Sequence, residues 1–488
     1  MTGDERVYVI GAGFAGRGIA GELRRKRTWG RVAAFLDDDS TKIGRKIDGV
    51  PVVGPINDAI SLVDKHHGDR AIIAIPSAST DQVRQWYHGL RTAGFRDVRI
   101  LPSISQIASG DAHVVQTREI DPQDLLGRTP VKINLREALG YLRNKRVLIT
   151  GAGGSIGGEL ARQLLSGGAE RLYLLGHGEN SIYQIDAELR LLQSEGVGEA
   201  ARVVPIIGEL TDRAYLEFLL PRLRADVIFH TAAYKHVPMM ETNPIAAVHN
   251  NVFGTLNLLA AAEQAGKPRV VLISTDKAVG PTSVYGATKR LAEELVLSRT
   301  ATHGIVVRFG NVLGSRGSIV PLFRGQIQNG GPVTVTDRRA TRYFMTIPEA
   351  VSLVLKAGGV GQTGQLYVLD MGQAVNIYDL AAQMIRFYGY EPNQEIAIDE
   401  IGLRPGEKLD ECLFDRGERS LGYASERVHQ VQRSPIDPAV LQQVVDALAP
   451  ICNFDPSDPL VYRNKRALRE ALLGLFPNLQ EPADSSEY

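Results

Sequence analysis

Two stretches of the chain share one pattern of apolar and polar positions. Residues 6–25 (RVYVIGAGFAGRGIAGELRR) and 146–165 (RVLITGAGGSIGGELARQLL) each contain a short apolar run, a glycine-rich turn and a longer segment with apolar residues at helical spacing. An uninterrupted apolar run is typical of a strand buried on both faces, and the period that follows predicts an amphipathic helix. Because the two stretches begin 140 residues apart, they predict two separate domains.

The pattern beyond these stretches continues as alternating strands and helices. Runs such as AIIAIPSAS in the first part, and RLYLLG, ADVIFHTA and RVVLIST in the second, alternate with amphipathic segments. Such alternation favours parallel, doubly wound sheets. We therefore predict an α/β protein with two Rossmann-like domains, the second of which carries a C-terminal substrate-binding cap.

The predicted domain boundaries lie where the pattern changes. A Rossmann-like domain covers 1–105, a connector and lead-in helix cover 106–143, and a catalytic domain with its cap covers 144–415. The cap is expected after about residue 312, where the pattern becomes irregular and rich in Gly, Pro and Arg. A C-terminal extension covers 416–488, and its last residues, PADSSEY, have little to bury and are expected to be disordered.

Charge and composition exclude several classes of protein. The 488 residues include 55 Lys plus Arg and 55 Asp plus Glu, so no bulk positive field draws the chain to nucleic acid. No run of about 20 apolar residues predicts a membrane span. The start of the chain resembles a strand rather than a signal peptide, so we expect a cytoplasmic protein. Cys412 and Cys452 lack metal-ligand spacing, and no metal site is predicted.

The second glycine-rich turn predicts a dinucleotide site. Gly151, Gly154 and Gly157 follow an apolar run directly, where glycine lets a pyrophosphate approach the backbone and the helix N-terminus faces the anion. Gly176 stands where a ribose-binding carboxylate is usual at the end of the next strand, which tilts the prediction towards NADP, whereas Glu179 keeps NAD open. The predicted cofactor-binding residues are Thr150, Gly151, Gly154, Ser155, Ile156, Gly157, His177, Glu179, Asn180, Ser181, Glu209, Leu210, Tyr285 and Lys289.

The first glycine-rich turn allows two interpretations. Gly11, Gly13 and Gly16 are followed by Asp37 at the end of the next predicted strand, where a carboxylate could hold a ribose. The alternative is a Rossmann-shaped domain with an empty or regulatory nucleotide site, because no motif that carries chemistry follows within residues 1–105.

The stretch STDKAVGPTSVYGATK (274–289) predicts an oxidation site. Tyr285 and Lys289 lie one helical turn apart, on the same helix face. The charge of Lys289 can lower the pKa of the Tyr285 hydroxyl, which then accepts a proton from a substrate alcohol while hydride leaves for the cofactor. Thr275, or Ser274, ends the preceding strand and is placed to hold that alcohol.

Asp276 and Lys277 add an acid and an amine to the same stretch. Oxidation of a sugar hydroxyl to a ketone acidifies the neighbouring C–H bond, so a base can remove that proton while an acid protonates a departing hydroxyl. We expect Lys277 to be the base, with a lowered pKa, and Asp276 to be the acid. The alternative is an ion pair in a surface loop.

The second domain resembles the UDP-N-acetylglucosamine 4,6-dehydratases of bacterial polysaccharide and glycan biosynthesis, within the extended short-chain dehydrogenase/reductase proteins. The resemblance covers about residues 124–415. It is carried by LLGRTPVKINL, KRVLITGAGGSIGGELARQLL, HTAAYKHVPMMETNPIAAVHNNVFGTLN, ISTDKAV, YGATKRLAEE, RFGNVLGSRGSIVPLF, TRYFMTIPEAV and GLRPGEKLDE. The first domain also resembles the amino-terminal Rossmann domain of longer family members.

The resemblance implies a substrate, UDP-N-acetylglucosamine, and a recycled nicotinamide cofactor. In it, Arg404 presents a planar fork to phosphate oxygens and Glu407 accepts from a ribose diol; alternatively, these two side chains pair with each other and Asn311 caps a turn. We also expect a homo-oligomer. The substrate-binding residues that the resemblance implies are Lys235, His236, Asn311, Ser315, Arg316, Arg404 and Glu407.

Two departures from the family bear on this interpretation. Longer relatives often carry transmembrane helices ahead of the first domain; this sequence shows none, so membrane attachment is not expected. Longer relatives also often have Met at the position of Tyr285, so the tyrosine here makes a Tyr-assisted oxidation the expectation. A nucleotide-sugar 4-epimerase is the nearest alternative, because it needs Tyr285 and Lys289 but not Asp276 and Lys277. A nucleotide-binding sensor without turnover would need none of the four.

Overall fold

A computed structural model describes most of the chain and divides it into two compact units. One unit comprises residues 1–138 and 190–199, and the other comprises residues 139–189 and 200–488. Most of the predicted connector 106–143 and the predicted disordered tail 482–488 lie outside the described residues. The described residues are 5–26, 29–62, 70–75, 77–95, 97–101, 118–119, 139–299, 302–388, 390–457 and 459–480.

The first unit contains a seven-stranded sheet of order β3-β4-β2-β1-β5-β6-β7. The central strands pair in parallel, while β3 and β7 are antiparallel to their neighbours. Its strands are β1 (Arg6–Ile10), β2 (Arg31–Leu36), β3 (Lys46–Ile47), β4 (Val50–Val53), β5 (Arg70–Ile73), β6 (Asp97–Ile100) and β7 (Arg118–Glu119). Its helices are α1 (Phe14–Lys26), α2 (Ile56–Leu62) and α3 (Thr80–Thr92).

The second unit contains a nine-stranded sheet of order β10-β9-β8-β11-β12-β13-β17-β21-β20. The seven strands from β10 to β17 pair in parallel, and the last two are antiparallel additions. Its strands are β8 (Arg146–Thr150), β9 (Arg171–Gly176), β10 (Arg202–Ile207), β11 (Val227–His230), β12 (Arg269–Thr275), β13 (His303–Phe309), β14 (Asn311–Leu313), β15 (Val333–Val335), β16 (Thr341–Thr346), β17 (Gln365–Leu369), β18 (Ala374–Asn376), β19 (Ile398–Glu400), β20 (Arg419–Ser425) and β21 (Val428–Gln432).

Helices follow most of these strands, as a doubly wound sheet requires. Single turns of tighter or wider helix occur at Gly140–Leu142, His249–Phe253 and Asp276–Ala278. The α-helices are α4 (Ser155–Ser166), α5 (Glu179–Ser194), α6 (Arg213–Leu223), α7 (Val237–Thr242), α8 (Pro244–Val248), α9 (Gly254–Gln264), α10 (Val284–Ser298), α11 (Ile319–Gln328), α12 (Ile347–Val360), α13 (Ile377–Phe387), α14 (Pro438–Cys452) and α15 (Lys465–Leu473). In the part of the chain that is described, no helix is both long and apolar enough to cross a membrane.

These two sheets confirm the predicted fold class. Strands β8, β11 and β12 are adjacent and parallel, so their carboxyl ends, at Thr150, His230 and Thr275, share one edge of the sheet. The chain reverses its direction of winding between β8 and β11, and ligands of open α/β sheets bind at that point. Two small sheets, β14-β16-β18 and β15-β19, form the irregular region that the sequence predicts after residue 312.

The C-terminal extension does not form a separate core. Leu448 in α14 and Leu468 and Leu472 in α15 are buried in one apolar cluster with Leu291 and Leu295 of α10. The predicted boundary after residue 415 therefore falls inside one continuous core, because the apolar faces of α14 and α15 are covered by the catalytic domain.

A fully buried ion cluster joins distant parts of the second unit. Arg308 on β13 donates to Glu293 of α10 at 2.7 Å and to Glu418 at 2.6 Å, and its side chain is 0% exposed. Glu293 also accepts from the Ser274 hydroxyl at 2.6 Å, directly before Thr275. Burial would raise the pKa of Glu293, but Arg308, Arg290 and the Ser274 hydrogen bond together outweigh burial, so this pKa is lowered.

We predict that Arg308→Met destabilises the second unit by about 3–5 kcal/mol, because it removes the fully buried cation that Glu293 and Glu418 share and leaves these carboxylates only Arg290. Thermal unfolding of the purified variant measures the effect. The matched control is Arg213→Met, which breaks an exposed pair with Glu217 and is expected to cost about 0–1 kcal/mol. Equal melting temperatures for the two variants would contradict the prediction.

Candidate active site

The residues of the predicted oxidation site lie at the end of β12 and the start of α10. Thr275 ends the strand, and its hydroxyl accepts from the Lys277 backbone N–H at 3.4 Å, so the chain turns into the short helix Asp276–Ala278. Ser283 caps α10 by accepting from the Gly286 backbone N–H at 3.0 Å. These caps place Thr275, the Asp276–Lys277 pair and Tyr285 around one point.

Lys277 is the centre of the polar contacts at this point. Its Nζ donates to Asp276 Oδ1 at 3.0 Å and to Asn311 Oδ1 at 3.0 Å, and lies 3.5 Å from Glu411 Oε1. The Thr275 hydroxyl donates to the same Asp276 oxygen at 3.0 Å. The Asp276 side chain is 0% exposed and that of Lys277 is 20% exposed, so the pair is not a surface ion pair.

The low pKa expected for Lys277 under a bound sugar is not present in the protein without substrate. Burial would lower the pKa of Lys277, but the carboxylates of Asp276 and Glu411 outweigh burial, so its pKa is raised. The lysine is therefore an ammonium before a sugar binds. Asp276 is adjacent to Lys277 in the sequence, whereas Glu411 is 134 residues away and approaches it only in the fold.

Tyr285 and Lys289 lie on one face of α10 but have different partners. Lys289 is buried and donates from Nζ to the Ile273 carbonyl at 2.7 Å; burial lowers its pKa to about 8, against an opposing effect of Glu293. Burial raises the pKa of Tyr285 to about 12, and the cation that acts against this is Lys277. The charge expected from Lys289 on this phenol thus comes from Lys277.

The second glycine-rich turn forms a cradle with no room for side chains. Gly151 has φ +67°, and a Cβ there would lie 2.7 Å from the Ala232 backbone. A Cβ on Gly154 would lie 3.0 Å from the Gly151 carbonyl oxygen, and one on Gly157 would clash with that same oxygen. The turn leads into the N-terminus of α4. This bare backbone at a helix N-terminus fits the pyrophosphate of a dinucleotide.

Buried hydrogen bonds hold the strand that leads into the cradle. Thr150 shares a 2.8 Å hydrogen bond with His230 Nδ1, and His230 Nε2 shares one of 2.9 Å with Thr255. Thr255 donates its own proton to the Asn251 carbonyl at 2.6 Å, so His230 donates from Nε2 and accepts from Thr150. Burial, with Lys289 nearby, lowers the pKa of His230 to about 3, which keeps this ring neutral.

The other predicted cofactor residues border the cradle or lie at neighbouring strand ends. Ser181 donates to the Gly178 carbonyl at 2.8 Å and packs against Gly153. Of the remaining positions, Ile156 is half-buried, Leu210 is buried, and Glu179 and Asn180 are exposed in the first turn of α5. The His177 ring lies 6.2 Å from that of Tyr234. Glu209 accepts from Thr211 at 3.3 Å, and Ser155 accepts from the Arg316 N–H at 3.1 Å.

The first glycine-rich turn uses its carboxylate internally. Asp37 accepts from the Ala12 N–H of the turn at 2.7 Å and from the Asp39 N–H at 2.9 Å, and Lys42 lies 3.3 Å from it. A Cβ on Gly16 would clash with the Gly11 carbonyl. These contacts account for Gly11, Gly16 and Asp37 by packing and capping, although a Cβ on Gly13 would meet no atom within 4 Å. The internal contacts of Asp37 favour the interpretation without a ribose on this carboxylate.

The implied substrate-binding residues fall into several groups. Arg404 pairs with Glu407 at 2.6 Å, as the alternative interpretation has it, and Asn311 binds Lys277 rather than capping a turn. Two cations, Lys235 and Arg316, lie close enough for Arg316 to help burial lower the pKa of Lys235. Burial, and to a lesser degree Lys235, lowers the pKa of His236. The His236 ring packs against Gly317. The Ser315 hydroxyl donates to the Val312 carbonyl at 3.1 Å.

Three acidic or amide residues of the site were not singled out from the sequence. Glu411 lies beside Lys277, at the end of the quoted motif GLRPGEKLDE. Glu241 accepts from the Val284 N–H at the start of α10 and from Arg469 of α15, both at 2.7 Å. Asn251 pairs with both backbone groups of Tyr234 at 2.8 and 2.9 Å. All three lie inside quoted motifs, but their partners are distant in sequence.

The sheet order, the glycine cradle and the Tyr285–Lys289 pair define a Rossmann-type protein that is like nucleotide-sugar dehydratases and epimerases. A family described as "Polysaccharide biosynthesis protein" matches residues 147–433, and the chain belongs to this family. The family resemblance seen in the sequence motifs is thereby confirmed.

Individual relatives agree with this assignment. The chain is 42% identical over 417 residues to "Probable polysaccharide biosynthesis protein EpsC" of Bacillus subtilis, a match over 85% of this chain and 69% of that protein. It is 31% identical over 297 residues to "UDP-N-acetylglucosamine 4,6-dehydratase (inverting)" of Campylobacter jejuni, over 59% of this chain and 83% of that protein. The X-ray structure of Pen from Bacillus thuringiensis matches 61% of this chain and 89% of that one, with a TM-score of 0.53 and 31% identity.

We predict that Gly157→Ala abolishes cofactor retention, because the added Cβ would displace the Gly151 carbonyl from the cradle. The adjacent Gly158→Ala is the matched control, since the nearest atom to its Cβ is 3.5 Å away, an ordinary contact distance. Nicotinamide released from the denatured proteins is measured by mass spectrometry. Full cofactor content in Gly157→Ala would show that the cradle does not hold the pyrophosphate.

Proposed function

We propose that this protein is a nucleotide-sugar 4,6-dehydratase that acts on UDP-N-acetylglucosamine. The observation that carries the proposal is the buried Asp276–Lys277 pair beside Tyr285 and Thr275, at the sheet edge that also carries the glycine cradle. An oxidation site alone would serve an epimerase. The adjacent acid and amine supply the two further proton transfers that loss of water needs.

Each residue of the site has one task in this proposal. Thr275 holds the C4 hydroxyl, and Tyr285 takes its proton. A bound nicotinamide cofactor would accept hydride from C4 and return it to C6, so net redox is zero. When the sugar binds, the Lys277 ammonium passes a proton to Asp276; the neutral Lys277 then removes the proton from C5 while Asp276 protonates the departing C6 hydroxyl, which leaves as water. The C5 proton is then returned, giving a UDP-4-keto-6-deoxy-hexosamine.

The cationic residues near the cradle support a diphosphate-bearing substrate. Lys235 and Arg316 repel one another in the free protein, and an anion between them would relieve that repulsion. Arg404 offers a third cation, a planar guanidinium. This requires that Arg404 exchange its bond with Glu407 for phosphate oxygens and that Glu407 turn to a ribose diol. His236, Asn311 and Ser315 complete the proposed sugar-nucleotide site.

The surroundings of the proposed adenosine ribose favour NAD. No Lys or Arg occurs between residues 172 and 189, and a 2′-phosphate needs a cation. The Ser181 hydroxyl already donates to the Gly178 carbonyl, and the Glu179 carboxylate lies in the first turn of α5, where it can accept from a ribose hydroxyl. The expectation of NADP was based on the missing carboxylate at Gly176, and we give these two observations more weight. The cytoplasmic location and the homo-oligomer stay predictions.

We predict that the purified protein converts UDP-N-acetylglucosamine into a product that has lost one water and, in heavy water, carries deuterium at C5. NMR and mass spectrometry of the product measure both, and free NADH or NADPH should not accumulate. In Lys277→Ala, deuterium at C5 should be lost while single-turnover hydride transfer from C4 survives. A C4-epimerised sugar that keeps its water would instead identify a 4-epimerase.

We predict that Tyr285→Phe slows the first oxidation by about 10²–10⁴-fold, the usual cost of losing one general base. Rapid-mixing absorbance of the reduced cofactor in a single turnover measures this step. Tyr423→Phe, at a tyrosine that is 61% exposed, is the matched control and should behave as the unsubstituted protein does. An unchanged rate in Tyr285→Phe would mean that the alcohol proton leaves by another route.

A further inference from the structure

Glu411 is a buried carboxylate beside the lysine of the proposed dehydration site. Its Oε1 lies 3.5 Å from Lys277 Nζ, and its side chain is 4% exposed. Its second oxygen, Oε2, lies 3.7 Å from Lys408 Nζ, and Lys408 also donates to the Val279 carbonyl at 2.6 Å. Glu411 therefore has a cation at each oxygen, Lys277 at Oε1 and Lys408 at Oε2, and both compensate for its burial.

The charges that face Lys277 come from several elements. Asp276 lies on the same turn, Glu411 on the cap segment and Tyr285 on α10, while Lys235, after β11, is the cation that faces it. Asn311 offers a neutral oxygen at 3.0 Å. With both carboxylates ionised, Asp276, Lys277 and Glu411 together carry one negative charge in excess, which Lys408 beside Glu411 balances.

Each of the two acids has one oxygen without a hydrogen bond. Asp276 Oδ2 and Glu411 Oε2 are buried and have no hydrogen-bond partner among the described residues. A buried carboxylate oxygen without a donor is costly, so both acids depend on the neighbouring ammonium groups. Because neither oxygen is accessible from solvent, Glu411 acts on the site through Lys277.

We propose that Glu411 is a positioning residue of the dehydration step, which holds the Lys277 ammonium between two carboxylates and sets the pH at which Lys277 exchanges its proton with the sugar. This inference rests on the proposed dehydratase function. Lys277 must lose a proton before it can take one from C5. A second carboxylate stabilises the ammonium and delays that loss, so removal of the Glu411 charge should let Lys277 titrate at a lower pH.

The direction of the midpoint shift is the same whether exchange requires Lys277 as the neutral amine or as the ammonium. If exchange requires the neutral amine, the rate rises with pH through the Lys277 titration; if it requires the ammonium, the rate falls there. In either case Glu411→Gln moves the midpoint to lower pH. A unit charge at this distance, even with effective dielectric screening, shifts the midpoint by about one pH unit or more.

The test is the pH dependence of deuterium exchange at C5 in heavy water with UDP-N-acetylglucosamine, measured by NMR on the full chain. Glu411→Gln should move the midpoint to lower pH, Glu411→Asp should move it less, and hydride transfer from C4 should persist in both. The matched control is Asp410→Asn, at an exposed acid that accepts from the Thr341 hydroxyl, which should leave the profile in place.

The outcomes separate the inference from the function on which it rests. If the exchange rate of Glu411→Gln is lower at every pH but the midpoint of its pH profile is unchanged, the positioning role is overturned and Glu411 has a structural role. If Glu411→Gln does not fold, the midpoint of Glu411→Asp decides in the same way. An unsubstituted protein that transfers hydride but releases no water would refute the dehydratase proposal itself.

Discussion

Arg308 imposes the constraint on which the catalytic half of this protein depends. A guanidinium keeps its charge at any pH that the protein meets, and burying it without carboxylates would be prohibitive. Glu293 from α10 and Glu418 from the C-terminal segment both satisfy it, and Ser274 joins through Glu293. Arg308, supported by Arg290, thus fixes the end of β12, helix α10 and the segment that follows Glu411 in a single arrangement.

That arrangement explains why chemistry concentrates at one edge of the sheet. Parallel strands β8, β11 and β12 end side by side, so the glycine cradle, the Lys235 loop and Thr275 must be neighbours. Glu241 ties the start of α10 to α15, and the C-terminal extension therefore braces the turn that carries Tyr285. The extension is part of the site's support, not an appendage.

The site itself is organised by the balance of charge around Lys277. Two acids hold the Lys277 amine as an ammonium, and that ammonium opposes the rise that burial causes in the pKa of Tyr285. In the proposed dehydration, substrate binding must shift this balance before Lys277 can act as a base.

The sequence by itself determined the local features of this protein. Apolar runs predicted the strands, glycine spacing predicted the cradle at Gly151–Gly157, and the interval between Tyr285 and Lys289 predicted a shared helix face, because each is set by residues close along the chain. Only the tertiary structure decided the partners of Lys277 and the direction of its pKa. Those depend on distances across the fold: Glu411 reaches Lys277 only once β12, α10 and the cap are packed, and neither spacing nor periodicity encodes that approach.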